Sequence, residues 1–397
     1  MVTVKITKQV KLPDPVKLAR YEKSPELGPR LLFFSGGTAL RELSAALIRY
    51  SHNSIHVVTP FDSGGSSAKL RAAFHMPAVG DIRNRLMALA DQSLHGNPEI
   101  YALFGYRFSK RKGRTALLGE LDQMVRGKHR LVAKIPGPLR KIVRHHLLVF
   151  REQMPEGFDL RGASLGNIVL AAGYLSNRRH IDPVIFIFSK LVQVRGMVRP
   201  VLNKDLHLVA QLETGEWVLG QHLLTGKEVA PIRAKVKRVF LSNDLNDPIE
   251  IQASIRNKMK ALIAEADLIC YPMGSFYSSL IANLLPKGVG EAIARNPCPK
   301  IFIPNTAKDP ETLRLGLAEQ IERLLGYLKK DAPHRISTRS VLDFVLLDTR
   351  GGRYPGRFSK RKLRTLGAEV IDCPLVTKQS APYIDAQRLV PLLLSLA

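Results

Sequence analysis

The chain has 397 residues, 45% of them hydrophobic, so it can bury a sizeable core as one large domain or two smaller ones without covalent staples. Its three cysteines form no Cys-x-x-Cys pair, which argues against a disulfide framework and a zinc ribbon and fits a reducing cytoplasm. Lysines and prolines interrupt the N-terminus and no run approaches ~20 apolar residues, so neither a cleaved secretion signal nor a membrane span is expected; 60 Lys/Arg against 34 Asp/Glu give +26 and an anionic partner field.

Residues 1–29 are polar and Pro-containing and read as an extended leader or a strand added to a sheet edge. From residue 31 the pattern is strand (Leu31 to Phe34), helix (Leu40 to Tyr50), strand (Ile55 to Thr59), glycine loop, then a helix carrying Ile82, Leu86, Leu89 and Ala90. That alternation is βαβ with a parallel sheet. A basic stretch follows, which reads as a helical insertion over about 106–157. Between 106 and 146 it holds twelve Lys/Arg against two acids, Glu120 and Asp122. A helix over Leu165 to Leu175 and a buried apolar run at Val184 to Phe188 come next. Alternation through Leu208, Ala210 and Leu212 before Thr214-Gly215, returning at Trp217 to Leu219, signals a β-hairpin arm. Two further strands hand over to loops at Ala266 to Tyr271 and Lys300 to Ile303. Apolar runs at Val341 to Leu347 and Ala368 to Cys373, closed by Ala386 to Leu396, make a βα tail over about 340–397. The expected class is α/β: a doubly wound, mostly parallel sheet with a hairpin arm and a basic helical insertion, in one domain over 30–397.

Four small-residue segments stand where strands should meet helices: Ser35-Gly36-Gly37-Thr38, Asp62-Ser63-Gly64-Gly65-Ser66-Ser67, Ser164-Leu165-Gly166-Asn167 and Gly274-Ser275. Small residues let backbone amides close around an anion, and a following helix aims its unpaired amides at the same spot. In open α/β sheets such loops gather at the carboxyl ends of the strands, as should Pro304-Asn305-Thr306. Gly36-Gly37-Thr38 lacks the lysine of a P-loop, and Ser35 to Arg41 is not Gly-x-Gly-x-x-Gly, which disfavours a nicotinamide enzyme. Asp62, Asp81 and Asn167 each carry two readings. Asp62 is a Mg²⁺ ligand or the acceptor of an Asx turn. Asp81 is a ligand-side carboxylate or an N-cap, with Arg83 and Asn84 turned to a phosphate or to solvent. Asn167 holds a base or ribose, or caps a helix. Gly274-Ser275, with Tyr277 and Ser278, is expected to cradle a second phosphate. The hexapeptide Arg107-Phe108-Ser109-Lys110-Arg111-Lys112 recurs at 357–362. It is a solvated basic turn used twice, or a paired patch for a polyanion or an acidic protein, with Phe108 and Phe358 as stacking groups.

Taken together, Gly36-Gly37-Thr38, the Asp62 to Arg71 segment, Gly80-Asp81-Ile82-Arg83-Asn84 with Ala88 to Asp91, Ser164-Leu165-Gly166-Asn167, Val194-Arg195-Gly196, Glu265 to Ile269 and Gly274-Ser275 through Leu285 resemble the CofD-like superfamily. That superfamily includes 2-phospho-L-lactate transferase and the YvcK-type gluconeogenesis factors, and the closer likeness is to the second branch. The resemblance runs colinearly from about residue 30 to the end. It implies a Rossmann-like fold in which Gly36, Gly37, Thr38, Gly64, Gly65, Ser66, Ser67, Asp81, Arg83, Asn84, Ser164, Gly166, Asn167, Gly274, Ser275 and Asn305 surround a nucleotide diphosphate or nucleotide-sugar. Asp62 is then the catalytic and metal-binding residue, with Mg²⁺, and a homo-oligomer is expected. The expected activity is transfer of a phospholactyl-type group from a nucleotide-diphosphate-activated donor to an acceptor hydroxyl; the alternatives are a non-catalytic nucleotide-sugar-binding regulator and a polyanion or nucleic-acid binder. The sequence departs from the YvcK pattern at four places. Ser63 replaces an aspartate, Gly162-Ala163 replaces Gly-His, Pro272-Met273 replaces Gly-Pro before Gly274-Ser275, and Ala39 replaces a glycine after Thr38. Such changes spare binding more readily than transfer.

Overall fold

In the computed structural model, residues 9–93, 96–226, 230–356 and 359–397 are described. Ten strands form two sheets: β1 (Leu31–Ser35), β2 (Ile55–Val58), β3 (Met197–Pro200), β4 (His207–Leu212), β5 (Trp217–Leu219), β6 (Val236–Ser242), β7 (Leu268–Tyr271), β8 (Lys300–Phe302), β9 (Phe344–Leu347) and β10 (Glu369–Asp372). Seven of them make a parallel sheet in the order β10-β9-β8-β7-β1-β2-β3, and β5-β4-β6 form an antiparallel arm. β1, β2, β7 and β8 are buried at every position, as suits interior parallel strands covered on both faces; Leu31 to Phe34 and β7 are apolar throughout, while β2 carries the buried His56 and β8 the buried Lys300. β10, at one edge, has exposed ends.

The period of two in β1 divides the interior. Leu32 and Phe34 join the apolar cluster that also holds Tyr271, Leu280 and the arm, whereas Leu31 and Phe33 face Leu43, Cys270 and Leu389 on the other side. A third cluster fills a helical lobe built from Pro98–Gly105, Arg114–Val125, Gly137–Gln153, Leu165–Ser176 and Ile181–Leu191, with Leu121, Leu147, Phe150 and Phe188 at its centre. It joins the sheet at Val58 and Val198 and takes in Leu70, Phe74, Ile82 and Leu86, so the basic segment shares one apolar core with the helices Gly65–Phe74 and Gly80–Ala88.

The hairpin turns at Thr214-Gly215 as its sequence indicates, and β6 adds a third strand to it. The run at Val184 to Phe188 lies in a helix, Ile181–Leu191, with Phe186 exposed on its outer side. The expected extended leader is corrected at Pro15–Lys23, which is helical: Asp14 Oδ1 accepts from the Val16 and Lys17 amides and proline stands at the first turn. Lys17 Nζ ties this helix to the C-terminal helix through Ser395 O at 3.1 Å. Residues 1–8 of that segment lie outside the described residues. Among the described residues no helix is long and apolar enough to cross a membrane.

The order of the strands fixes where a ligand can sit. β1 has β2 on one side and β7 on the other, so the chain reverses direction across the sheet at β1. A crevice opens at the carboxyl ends there.

Candidate functional site

A cleft of about 730 Å³ occupies that crevice and is lined by all four small-residue segments: Gly36 to Ala39 after β1, Asp62 and Gly64 to Ser67 after β2, Asn167, and Ser275 after β7. The turn after β1 is held from behind by Arg85, which is fully buried. Its Nη1 donates to Leu40 O at 2.9 Å and Ser44 Oγ at 2.6 Å, and its Nη2 to Gly36 O at 2.8 Å and Ser35 Oγ at 3.3 Å. Burial lowers the guanidinium pKa to about 10, with Asp81 acting in the opposite sense, so it stays charged at neutral pH. Gly36 and Gly37 are required by close approach. A Cβ on Gly36 would lie 2.5 Å from Ser279 Oγ, and one on Gly37 would lie 2.4 Å from Asp81 Oδ1 and 3.0 Å from Asn84 Nδ2.

After β2, Asp62 Oδ1 accepts from the Gly64 amide at 3.0 Å, an Asx turn that starts the helix Gly65–Phe74. Arg71 of that helix anchors the turn: its Nη1 donates to Phe61 O and Asp62 O, and its Nη2 to Asp205 Oδ1 and Leu206 O in the approach to β4. No side chain caps the N-terminus of Gly65–Phe74, nor that of the helix Gly80–Ala88. Gly65, Ser66, Ser67, Gly80 and Asp81 all line the cleft, so two uncapped helix N-termini meet there and their partial positive charge is directed into it. Gly80 lies between them. A Cβ at this position would be 2.5 Å from Ser67 Oγ, 3.1 Å from Asp62 Oδ2 and 3.9 Å from Asn167 Nδ2.

Asp81 accepts from Thr59 Oγ1 at 3.1 Å, which turns its carboxylate toward the strand ends. Arg83 lies over the Leu165–Ser176 helix, its Nε donating to Asn167 Oδ1 at 3.4 Å. Burial, with Arg107 and Arg41 nearby, lowers the Arg83 pKa to about 10. Gly166 allows this crossing, since a Cβ there would meet Phe104 O at 2.8 Å and Arg83 Cγ at 3.0 Å. Ser164 is buried and donates its amide to Ser66 Oγ at 3.1 Å, so Ser164 and Gly166 position the site while Asn167 faces the cleft.

The fourth segment is arranged differently. The Gly274 amide donates to Asn305 Oδ1 at 2.9 Å and Asn305 Nδ2 donates back to Gly274 O at 2.6 Å. The π-helical turn Phe276–Ile281 then has its amides taken: Phe276 N donates to Asp309 Oδ2, and Tyr277 N and Ser278 N to Glu311 Oε2, at 2.8 to 2.9 Å. Tyr277 is buried in the core, and Ser278 Oγ donates to Glu311 Oε1. Burial, reinforced by the Asp309 charge, raises the Glu311 pKa to about 7. Ser275, Ser278 and Ser279 line the cleft, the Ser278 hydroxyl being held by Glu311, whereas Asn305 clasps the loop from outside it.

Electrostatically the cleft favours an anion. Lys69, Arg83, Arg107, Lys110 and Arg161 line it against two carboxylates, Asp62 and Asp81. Lys69 and Arg161 share Asp159, at 2.7 and 2.9 Å. Arg107 and Lys110 come from the first copy of the repeated hexapeptide. Its Phe108 is corrected from a stacking group to a buried residue of the lobe. In the second copy Arg357 and Phe358 lie outside the described residues, and Ser359 caps the helix Lys360–Thr365. Ser63, where the family pattern has an aspartate, bonds His222 Nδ1 at 2.7 Å and accepts from the His222 amide at 3.2 Å, which ties the arm to the cleft.

Among the described residues no three His, Cys, Asp or Glu form a metal cage. Mg²⁺ commonly takes one or two carboxylates together with phosphate oxygens, and Asp62 and Asp81 are the carboxylates lining the cleft among the described residues. Sequence reasoning missed Gly80, Lys69, Arg161, His222 and the positioning roles of Arg71, Arg85 and Glu311. Gly80, Lys69 and Arg71 lie inside segments that carry the family resemblance, whereas Arg161, His222, Arg85 and Glu311 carried no local signal.

Comparison with known proteins agrees with this geometry. Residues 31–376 match the family model described as 2-phospho-L-lactate transferase CofD. The gluconeogenesis factor of Bacillus subtilis (strain 168) is 28% identical over 382 residues, which cover 93% of this chain and 98% of that protein. The gluconeogenesis factor of Halalkalibacterium halodurans is 30% identical over 298 residues, 75% of this chain and 73% of that one. A crystal structure of a UPF0052 family member from Bacillus halodurans superposes with a TM-score of 0.65 at 25% identity, over 92% of this chain and 99% of the other. The matched region begins at the first residue of β1 and extends past β10, so it contains the whole parallel sheet and every segment of the cleft: the chain belongs to the CofD family.

Proposed function

We propose that the cleft binds a nucleoside diphosphate or a nucleoside-diphosphate sugar and that the chain acts as a ligand-responsive regulator of the gluconeogenesis-factor type. The observation that carries this reading is the meeting of two uncapped helix N-termini and the Gly36-Gly37 turn at one cleft with an excess of cations. The diphosphate lies against the Gly65 to Ser67 and Gly80 amides, with Arg83 and Lys69 neutralising its charge. Asn167 and the arm residues Gln221 and His222 face the nucleoside or sugar. The relatives' name supports the regulatory role. So does Ser63, whose hydroxyl is committed to His222 where the family pattern supplies a carboxylate. The test is calorimetric titration of the full chain with uridine and guanosine diphosphates and their sugar conjugates, followed by analysis of the recovered ligand. Saturable binding with intact ligand supports the regulator, and no binding of any of the four overturns it.

A second reading, transfer, is favoured by the two carboxylates on the cradle wall. The acceptor hydroxyl oxygen attacks the phosphorus bearing the phospholactyl-type group, the bond to the nucleoside monophosphate breaks, and the acceptor proton leaves to Asp62 or water. Mg²⁺, when bound to Asp62 and Asp81, would supply charge neutralisation on the diphosphate. Release of nucleoside monophosphate from a diphosphate-activated donor marks this activity.

The helical lobe also favours a polyanion or acidic protein. Both acids of its twelve-cation segment are engaged, Glu120 by Lys112 and Asp122 by Arg151. Affinity for single-stranded RNA that falls steeply with salt supports this interface, and salt-independent affinity refutes it.

A further inference from the structure

On the other side of the Gly274-Ser275 loop lies a second cavity, of about 720 Å³, between the arm, the Asn305 to Arg314 loop and the segment around Tyr354. Its walls combine Ile232, Leu313 and Tyr354 with three cationic side chains, Lys308, Arg314 and Arg353. Lys308, Arg314 and Arg353 are exposed, and none makes an ion pair among the described residues. Against these three cations the lining holds one carboxylate, Asp309, so the cavity keeps a net positive charge beside its apolar wall. The cavity differs in kind from the nucleotide cleft: its walls are mostly apolar. It suits an anion with a hydrophobic body.

Two of its lining residues reach through to the first cleft. Asn305 brackets Gly274 with both atoms of its amide, at 2.9 and 2.6 Å. Asp309 accepts from Phe276 N at 2.9 Å through Oδ2 and from Glu311 N at 3.0 Å through Oδ1. Asn305 and Asp309 therefore hold, from the far side, the loop whose Ser275, Ser278 and Ser279 line the nucleotide cleft.

We propose that this cavity is a second ligand site, for a small amphipathic carboxylate with an aromatic or branched apolar body, and that its occupancy acts on the Gly274-Ser275 loop through Asn305 and Asp309. The carboxylate meets Arg314 and Arg353 while the apolar body covers Ile232, Leu313 and Tyr354. A cation drawn toward the ligand changes the field at Asp309, and a filled cavity restricts the clasp. Coupling between the two sites is reciprocal, so whatever tightens the loop from this side alters affinity on the other.

The inference is testable without any nucleotide, so its failure is separate from a failure of the nucleotide reading. The probes are 1-naphthoate and its neutral analogue 1-naphthamide, titrated into the full chain by fluorescence or calorimetry. The variants are the double substitution Arg314→Gln with Arg353→Gln, and a charge-matched control, Lys128→Gln with Arg130→Gln on the lobe. Wild type and control bind naphthoate saturably and more tightly than naphthamide, whereas the cavity variant binds naphthoate roughly tenfold more weakly because two charge contacts are lost. Equal affinity of wild type and cavity variant, or no preference for the charged probe, overturns the site. Amide hydrogen exchange reads the coupling: naphthoate slows exchange at Gly274, Phe276, Tyr277 and Ser278 in wild type. Binding that leaves those amides unchanged overturns the link to the loop.

Discussion

Gly80→Ala puts one methyl group between the groups that the cleft brings together. Its Cβ would stand 2.5 Å from Ser67 Oγ and 3.1 Å from Asp62 Oδ2, so the serine side chain must turn away and the carboxylate must give ground. Overpacking of this kind costs about 1–3 kcal/mol, and the helix preference of alanine over glycine returns about 0.5–1, which leaves a net loss of roughly 1 kcal/mol. Ligand binding suffers more. A hydrogen bond to a charged group contributes about 1.5–3 kcal/mol, so losing one from Ser67 or the Gly80 amide weakens a nucleoside diphosphate by roughly 10- to 100-fold. Stability is read from urea unfolding followed by far-UV circular dichroism, and affinity from calorimetric titration with uridine diphosphate. Gly119→Ala in the lobe helix Arg114–Val125 is the control, because its Cβ meets nothing within 4 Å and should only add helix stability. A folded Gly80→Ala chain that binds within twofold of wild type refutes the placement of the diphosphate at this helix N-terminus.

Arg85→Met strands Leu40 O and Gly36 O without their donors and should destabilise the chain by about 3–5 kcal/mol in urea unfolding; a change under about 1 kcal/mol contradicts its role as the brace of the glycine turn. Glu311 titrates near 7 when folded because it is buried beside Asp309, against an ordinary value of 4.5. Its folded pKa is raised, so the stability it contributes is fully present below 4.5 and is lost as the pH rises through 7. Between pH 5 and 8 that loss is on the order of 2 kcal/mol, and Glu311→Gln should remove it from the pH profile of unfolding; a parallel profile in the variant contradicts the shift. Ser63→Asp restores the family carboxylate and breaks the contact with His222, so metal dependence of uridine diphosphate binding should rise at least about threefold. Unchanged metal dependence places position 63 outside the ligand's charge field.

Much of the fold is legible in the chain because interior parallel strands are rich in apolar residues: Leu31 to Phe34 and Leu268 to Tyr271 are apolar throughout, and Ile55 to Val58 is interrupted only by the buried His56. The first two glycine segments stand out locally as small residues at a strand end followed by a helix, a pattern that suits an anion cradle or a tight strand–helix turn, and the structure brings both to one cleft. The hidden parts depend on distant residues. Gly274-Ser275 looks like its counterparts locally, yet Asn305, Asp309 and Glu311 occupy most of its amides, and nothing near Gly274 announces those acceptors. Nothing next to Arg71 or Arg85 in the chain announces the turns that each of them braces. Phe108, flanked by Arg107 and the lysines, reads as a surface aromatic, but its own side chain points into the lobe cluster while its neighbours face the cleft. Residues 1–29 read as extended because they are polar and Pro-containing; Pro15 instead opens the helix Pro15–Lys23, where its missing amide costs nothing.

The nucleotide reading is tested most directly by calorimetry of the wild-type chain and Lys69→Gln/Arg83→Gln with uridine diphosphate and guanosine diphosphate, with and without Mg²⁺, at two salt concentrations. The convergence of helix N-termini and cations predicts one saturable site per chain for at least one of the two nucleotides. It also predicts at least about tenfold weaker binding in the double variant, since two cations around the diphosphate are lost. Absence of binding by a folded wild-type chain, or equal affinity of the two proteins, contradicts it.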